Sequence, residues 1–185
     1  MELTIFDKPG VENTDAALDL ALKTAKELNI KKVIIASTKG STAVKAGEKF
    51  KGSGTELIAV AHQYGRKEVG KTEFMSENLE KAKRLGVKVH FATDLLTATV
   101  GAFREKFGGG FFGIIADTLR MFGQGMKVAI EISIMACDAG LVSSDEEVVA
   151  VAGTGGGADT VIVIKPSYTY KIFETCIREI IAKPR

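Results

Sequence analysis

The length, composition and charge of the chain favour one globular domain and exclude several other classes of protein. Its 185 residues are 45% hydrophobic and 26% charged, which is enough to bury a full core, so we expect a single domain over residues 1–185. A net charge of +2 with interspersed signs offers no basic face for nucleic acid, and no stretch reaches the ~20 apolar residues that span a bilayer. We therefore expect a cytoplasmic protein without nucleic-acid or membrane partners.

The first half of the chain alternates helical and strand patterns. Apolar residues at three-to-four spacing predict a helix over 14–28, and a continuous β-branched run predicts a strand over 33–37. The alternation continues with a helix over 42–50, a strand over 57–61, a helix over 73–85 and a strand over 87–91. Repeated units of this kind predict a doubly wound, three-layer α/β/α domain with a mostly parallel sheet.

The alternation of helix and strand patterns stops between residues 97 and 125. This segment contains a run of three glycines and five phenylalanines: Gly108, Gly109, Gly110, Phe103, Phe107, Phe111, Phe112 and Phe122. One interpretation is an irregular helical insertion buried against the domain or against another copy of the chain. The other is a mobile flap or an apolar wall for a ligand.

The last part of the chain returns to regular patterns. We predict a helix over 127–139, strands over 147–152 and 160–165, and a final amphipathic helix over 170–182. The two cysteines, Cys137 and Cys176, are expected to be buried free thiols. Glutamine occurs only at Gln63 and Gln124 while charged residues are plentiful, a bias typical of proteins from hot environments.

The strongest candidate site lies where the first predicted strand of the sheet ends and a helix begins. Its residues are Ser37, Thr38, Lys39, Gly40, Ser41 and Thr42, which we call the anion loop. Free backbone N–H groups at a helix start attract anions, and hydroxyls and an ammonium add donors for phosphate. The competing interpretation is that Ser and Thr only cap the helix and close a turn.

A second glycine-rich loop follows a later strand. Gly153, Thr154, Gly155, Gly156, Gly157 and Asp159 lie in a segment that formally matches a dinucleotide fingerprint, but it leads directly into another strand instead of a helix. The loop could still form an anion-binding nest beside the anion loop, or it could be a tight turn.

His62 comes directly after the strand predicted over 57–61, at the rim where α/β sheets bind ligands. It is the best candidate for a general acid or base. Asp94 closes the next strand at the same rim. Asp94 is expected to be solvated or to cap a helix, and so are the other carboxylates near glycines, which are Asp117, Glu131, Asp138 and Asp159.

Three segments carry a resemblance to a known family. They are Asn13-Thr14, residues 33–43, which contain the anion loop, and residues 139–163, which contain the second glycine-rich loop. They resemble the C-terminal α/β domain of pyruvate kinase and, more closely, the stand-alone archaeal proteins of that domain family. The resemblance implies a five-stranded mixed sheet with an antiparallel last strand, and a ligand between the carboxyl ends of the first and fourth strands. The 97–125 segment departs from the kinase pattern.

The resemblance also bears on function. In pyruvate kinase the domain is regulatory, in some members the loop resembling the anion loop binds the phosphate of a sugar phosphate, and the phosphotransfer machinery lies in a separate barrel. Kinase activity is therefore not inferred. Copies of such domains pack together, which makes a homo-oligomer the expectation by analogy.

Three functions remain open at this stage. The first is a binding domain for a phosphorylated small molecule, which could be a nucleotide, a sugar phosphate or flavin mononucleotide (FMN), with Asn13, Thr14 and His62 added to the two loops as ligand contacts. The second is an enzyme using the same pocket, with His62, Lys39 or Asp94 in acid–base roles and FMN as a candidate cofactor. The third is a structural or regulatory subunit of an oligomer. The sequence indicates no metal site.

Overall fold

One mixed sheet forms the centre of the protein in a computed structural model that describes residues 2–107 and 113–185. The described strands are β1 (Thr4–Phe6), β2 (Lys32–Ala36), β3 (Glu56–His62), β4 (Lys88–Ala92), β5 (Val148–Ala152), β6 (Thr160–Lys165) and β7 (Cys176–Pro184). Their order across the sheet is β1-β7-β6-β5-β2-β3-β4. Among these strands only β6 runs against its neighbours, because it pairs antiparallel with both β5 and β7.

Helices cover both faces of the sheet and make a three-layer α/β/α arrangement. The described α-helices are α1 (Thr14–Glu27), α2 (Ser41–Lys49), α3 (Ser76–Arg84), α4 (Ala98–Phe107), α5 (Ile114–Arg120) and α6 (Gln124–Asp138). Helices α1, α2 and α3 pack on one face, and α6 packs on the other. Short 3-10 helices span Val11–Asn13 and Thr169–Glu174.

The central strands are apolar on both faces because both faces are covered. In β2, Val33 and Ile35 enter the core under α1 and α2, while Ile34 enters the core under α6. All five residues of β5 are buried. Removing these side chains from water is the main favourable term for the fold, at about 25 cal/mol per Å² of apolar surface. Burial on both faces also explains why the sequences of these strands are continuous apolar runs.

The five strands predicted from the sequence are all present, and the mostly parallel α/β class is confirmed. The sheet has seven described strands instead of five, because β1 and β7 extend it beyond β6. The predicted helix over 170–182 is wrong: the segment forms the second 3-10 helix and then β7. Cys176 consequently lies half-buried in a strand, whereas Cys137 is buried in α6, and both are free thiols.

The segment predicted as an insertion contains α4 and α5, which lie between β4 and α6. The glycine run with Phe111 and Phe112 falls outside the described residues. A cavity of about 90 Å³ lies between the two helices and is lined by Leu96, Thr97, Val100, Gly101, Gly113, Ala116, Asp117 and Arg120. It is smaller than the roughly 300 Å³ at which ligand pockets usually begin, so it does not offer a ready pocket for a flavin ring.

None of the helices in residues 2–107 and 113–185 is long and apolar enough to cross a membrane.

Candidate functional site at the carboxyl edge of the sheet

The candidate site residues gather at the edge of the sheet where the parallel strands end. β2 and β5 are neighbours and run parallel, but the chain leaves them in opposite directions, from β2 into α2 and from β5 back into β6. In doubly wound sheets, ligands bind in the crevice that such a reversal opens. The anion loop follows β2 and the glycine-rich loop follows β5, so the predicted neighbourhood of the two loops agrees with the topology.

The backbone of the anion loop is held from outside by the start of α3. The carbonyl oxygen of Lys39 accepts hydrogen bonds from the Asn78 side-chain amide at 2.9 Å and from the Met75 N–H at 3.3 Å. Gly40 follows with φ of 92°, and a Cβ atom there would lie 2.4 Å from Phe74 Cε1. The turn into α2 is therefore fixed in shape and requires glycine at its tightest point.

Two backbone N–H groups in the first turn of α2 have no acceptor among the described residues. The N–H groups of Ala43 and Val44 are bound to Ser37 Oγ and the Gly40 carbonyl. Among the described residues, the N–H groups of Ser41 and Thr42 have no such acceptor, and no side chain caps the helix at Gly40. Thr38, Lys39 and Ser41 are exposed, while Ser37 and Thr42 are buried. The capping interpretation holds for Ser37, whose hydroxyl oxygen accepts the Ala43 N–H.

Alanine at Gly40 tests whether the shape of this turn is as tight as its contacts indicate. We expect Gly40→Ala to lower the free energy of unfolding by about 2–4 kcal/mol, because it adds both a left-handed backbone penalty and a clash with Phe74. Gly52→Ala is the matched control, since Gly52 has φ of 76° with nothing near its missing Cβ. Urea denaturation measures both. Equal losses at the two positions would show that the contact with Phe74 costs nothing.

The glycine-rich loop after β5 is organised by Asp159. The Oδ2 atom of this buried side chain accepts hydrogen bonds from the N–H groups of Thr154 and Gly10, each at 3.1 Å, and Oδ1 accepts one from the Thr160 hydroxyl at 2.8 Å. Its polar atoms therefore bind protein groups and fix the loop. Gly155 and Gly156 are the exposed residues of the turn, whereas Gly153 and Gly157 are half-buried.

Thr14 ties the start of α1 to the same loop. Its hydroxyl oxygen accepts a hydrogen bond from the Ala158 N–H at 3.0 Å and donates one to the Val11 carbonyl at 2.6 Å. The side-chain amide of Asn13 donates hydrogen bonds to the carbonyl oxygens of Lys8 and Gly10. Neither residue caps α1 through a side-chain hydrogen bond. Both residues act here on the shape of the edge, and their role as ligand contacts stays a prediction.

His62 and Asp94 form a pair at the ends of β3 and β4. The Nδ1 atom of His62 lies 2.6 Å from Asp94 Oδ1, and Arg66 Nε lies 3.4 Å from Asp94 Oδ2. Burial opposes ionisation of Asp94, but the hydrogen bond from His62 and the positive charges of Arg66 and Lys127 outweigh it, so the pKa of Asp94 lies below its usual value. Asp94 is therefore a carboxylate at neutral pH.

A second charged pair is buried in α6 beneath this edge. Lys127 and Glu131 are one helical turn apart, form an ion pair and are almost fully shielded from water. The Oε1 atom of Glu131 also accepts the N–H of Leu96 at 2.6 Å, which fixes the segment that carries Asp94. The sequence prediction of solvated or capping carboxylates is thus wrong for Asp94, Glu131 and Asp159, all of which are buried.

The structure separates the predicted site residues into two groups. The anion loop, the glycine-rich loop and Thr14 lie around the ends of β2 and β5, whereas His62 lies one strand further along with Asp94. Sequence reasoning placed His62 and Asp94 on one rim without pairing them, and it missed Lys127. The available signal was a lysine and a glutamate at i,i+4 within the apolar run of α6.

The fold defines a doubly wound α/β domain with one reversed strand and helix starts gathered at its carboxyl edge. More narrowly, the chain belongs to the pyruvate kinase alpha/beta domain family, because the sequence model of that family matches residues 15–164. The match covers the anion loop, the His62–Asp94 pair and the glycine-rich loop. It confirms the resemblance to the pyruvate kinase α/β domain.

Proposed function

We propose that this protein is a binding domain for a phosphorylated small molecule, with the phosphate group held by the anion loop. The observation that carries the proposal is the start of α2, where two backbone N–H groups have no acceptor among the residues that the structure describes and are next to the exposed Lys39. Helix starts with free N–H groups favour anions through both hydrogen bonds and the helix dipole. The position beside the β2–β5 reversal adds support.

Phosphate fits this chemistry better than an uncharged ligand. The Lys39 side chain supplies a positive charge, and Thr38 and Ser41 supply hydroxyl donors at the surface of the same turn. Because Asn78 and Gly40 already fix the backbone, little conformational freedom is lost on binding, which favours affinity. The exposed Gly155 and Gly156 in the neighbouring loop would let a ligand approach the backbone closely.

The test compares wild type with Lys39→Ala and Lys51→Ala. Lys51 is exposed just beyond the other end of α2, so its loss changes the net charge equally without touching the loop. In calorimetric titrations with inorganic phosphate, FMN, a nucleotide and a sugar phosphate, we expect Lys39→Ala to weaken binding about tenfold, which corresponds to about 1.4 kcal/mol. Lys51→Ala should bind as wild type does. Equal binding by all three proteins, or none by wild type, contradicts the proposal.

A second candidate function is catalysis in the same pocket, with FMN as the candidate cofactor. The His62–Asp94 pair favours it, because an oriented imidazole is the commonest acid–base group in enzymes. Phe122 is half exposed near the start of α6, but Phe111 and Phe112, the other candidates for an apolar wall, lie outside the described residues. Flavin absorbance in the purified protein, lost in Lys39→Ala, supports this function, and a colourless protein argues against FMN.

A third candidate is a homo-oligomer. Tyr170 and Phe173 in the 3-10 helix before β7 are 81% and 87% exposed, and exposed aromatic patches are typical of contact surfaces between proteins. Light scattering on wild type and Phe173→Ser measures the association directly. A monomeric wild type would contradict it.

A further inference from the structure

Two strands extend the sheet beyond the region that the family model matches. β7 and β1 lie outside residues 15–164, and so does the 3-10 helix Thr169–Glu174 that precedes β7. These elements build the end of the sheet next to β6. The surface that they present is therefore a feature of this chain beyond the matched domain.

The two faces of β7 differ in how well they are covered. Ile181 and Ala182 lie in the core beneath α1 and are buried. On the other face, Ile177 pairs with Ile164 of β6, which lies in the core beneath α6, and paired residues of neighbouring strands point to the same side. Ile177 is nevertheless 40% exposed. The cover that α6 gives to the sheet is therefore incomplete over β7.

The 3-10 helix before β7 is held on the same side of the sheet as Ile177. The N–H of Thr169 donates a 3.0 Å hydrogen bond to the Asp138 carboxylate at the end of α6, and Ile172 packs against the core beneath α6. The backbone of this short helix is therefore fixed, so little of its conformational entropy is lost when its outer side chains are covered.

The aromatic side chains of this helix face solvent. Tyr170 and Phe173 are 81% and 87% exposed, and the Tyr170 ring stacks on that of Tyr168, with 6.2 Å between the ring centroids. Together with Ile177 these residues form a surface that we call the β7 patch. Its two most exposed rings alone offer roughly 300 Å², a large part of the ~800 Å² that each partner contributes to a complex of standard size.

The charges next to the β7 patch are neutralised in pairs. Lys171 binds Glu174 at 3.3 Å, and Arg178 binds Glu147 at 2.8 Å. A two-fold axis brings a surface against an identical copy of itself, and like charges that meet there are unfavourable. A patch of one charge sign would therefore repel its copy, whereas an apolar patch bordered by neutral pairs is compatible with it.

We propose that the β7 patch is the contact surface of a symmetric dimer of this chain, in which Tyr170, Phe173 and Ile177 of one copy pack against the same surface of the other. β7 runs parallel to β5 and β2, so its first residues and the 3-10 helix lie at the opposite end of the sheet from the anion loop. The dimer leaves that loop open. This inference rests on the homo-oligomer, the third candidate function, to which it gives a surface and a symmetry, and it does not depend on phosphate binding.

Sedimentation equilibrium over a range of protein concentrations measures the dissociation constant of the dimer. We expect Phe173→Glu, which adds a charge to the contact from both copies, to raise that constant by about thirtyfold or more, the effect of changing an interface hot spot. Val69→Glu is the matched control, because Val69 is 94% exposed in the segment between β3 and α3, outside the β7 patch. It should associate as wild type does.

A measurement on wild type covers the case in which Phe173→Glu does not fold. Amide hydrogen exchange at residues 169–178 should slow as the protein is concentrated, while exchange around Val69 stays the same. If wild type associates but Phe173→Glu associates equally, or residues 169–178 do not respond, the β7 patch is the wrong surface and the oligomer uses another. A monomeric wild type contradicts both the surface and the homo-oligomer, and calorimetry with phosphate tests the binding function independently of either result.

Discussion

Replacing Lys127 with methionine is expected to lower the free energy of unfolding by about 3–5 kcal/mol, because it leaves the buried Glu131 carboxylate without its cation. Glu131→Gln should be similarly harmful, since it leaves the buried ammonium of Lys127 without its acidic partner. Denaturant unfolding measured on both variants and wild type gives the values, with the slope of the transition checked for two-state behaviour.

The double variant Lys127→Met/Glu131→Gln separates charge from packing. It removes both charges, and the glutamine amide oxygen can still accept the Leu96 N–H that Glu131 binds. We therefore expect the double variant to be more stable than either single variant, which is the signature of a coupled pair in a double-mutant cycle. If the two losses simply add, then the ion pair is not what stabilises this part of α6.

Alanine at Asp159 is expected to be the second damaging change, with a loss of about 3 kcal/mol or more. Two backbone N–H groups, from Gly10 and Thr154, and the Thr160 hydroxyl would lose their common acceptor, and each buried donor left unpaired costs about 1–3 kcal/mol. The same change frees the glycine-rich loop, so hydrogen exchange at residues 154–158 should accelerate beyond the global loss of stability.

Asparagine at the same position is the matched control. Its one carbonyl oxygen can keep both N–H groups, and its amide can donate to the Thr160 hydroxyl, which rotates to accept. We expect Asp159→Asn to cost about 1 kcal/mol, well below the alanine variant. If asparagine is as harmful as alanine, the negative charge itself holds the loop, and the hydrogen-bond geometry is secondary.

Most of the sheet could be predicted from the sequence because its strands are buried on both faces. Runs such as Val33–Ala36 and Val148–Ala152 contain no competing helical period, and the helices between them place alanine and leucine on one side. The family resemblance supplied the reversal of β6, which periodicity alone does not reveal. β1 has only three residues, which is too short for a strand pattern to be recognised in the sequence. It joins the sheet by pairing with β7, which the sequence itself predicts as a helix.

The error at β7 has a physical cause. Ile177, Ile180 and Ile181 have the spacing of a helical stripe, which favoured an amphipathic helix. In the structure Ile180 packs toward α6 while Ile181 packs on the opposite face, as consecutive residues of a strand do. Two register shifts against β6 accompany this segment, and shifts of this kind disturb the simple alternation by which a strand is recognised.

The residues of the candidate site could be predicted from the sequence, but the hydrogen bonds that join distant residues there could not. The position of the anion loop followed from local sequence, because a strand end and a helix start are neighbours along the chain. The bonds from Asp159 to Gly10 and from Glu131 to Leu96 join residues 149 and 35 positions apart. No local pattern encodes such pairings, and for that reason the sequence predicts solvated or capping carboxylates at Asp159 and Glu131.

The position of β7 between β1 and β6 has a consequence for how the chain acquires its fold. Thr4, Ile5 and Phe6 pair with Ala182, Lys183 and Pro184, so β1 is synthesised long before the strand that it pairs with. At ordinary rates of synthesis, roughly 10 to 30 seconds separate the two segments. β1 therefore cannot take its place at the edge of the sheet before β7 is synthesised.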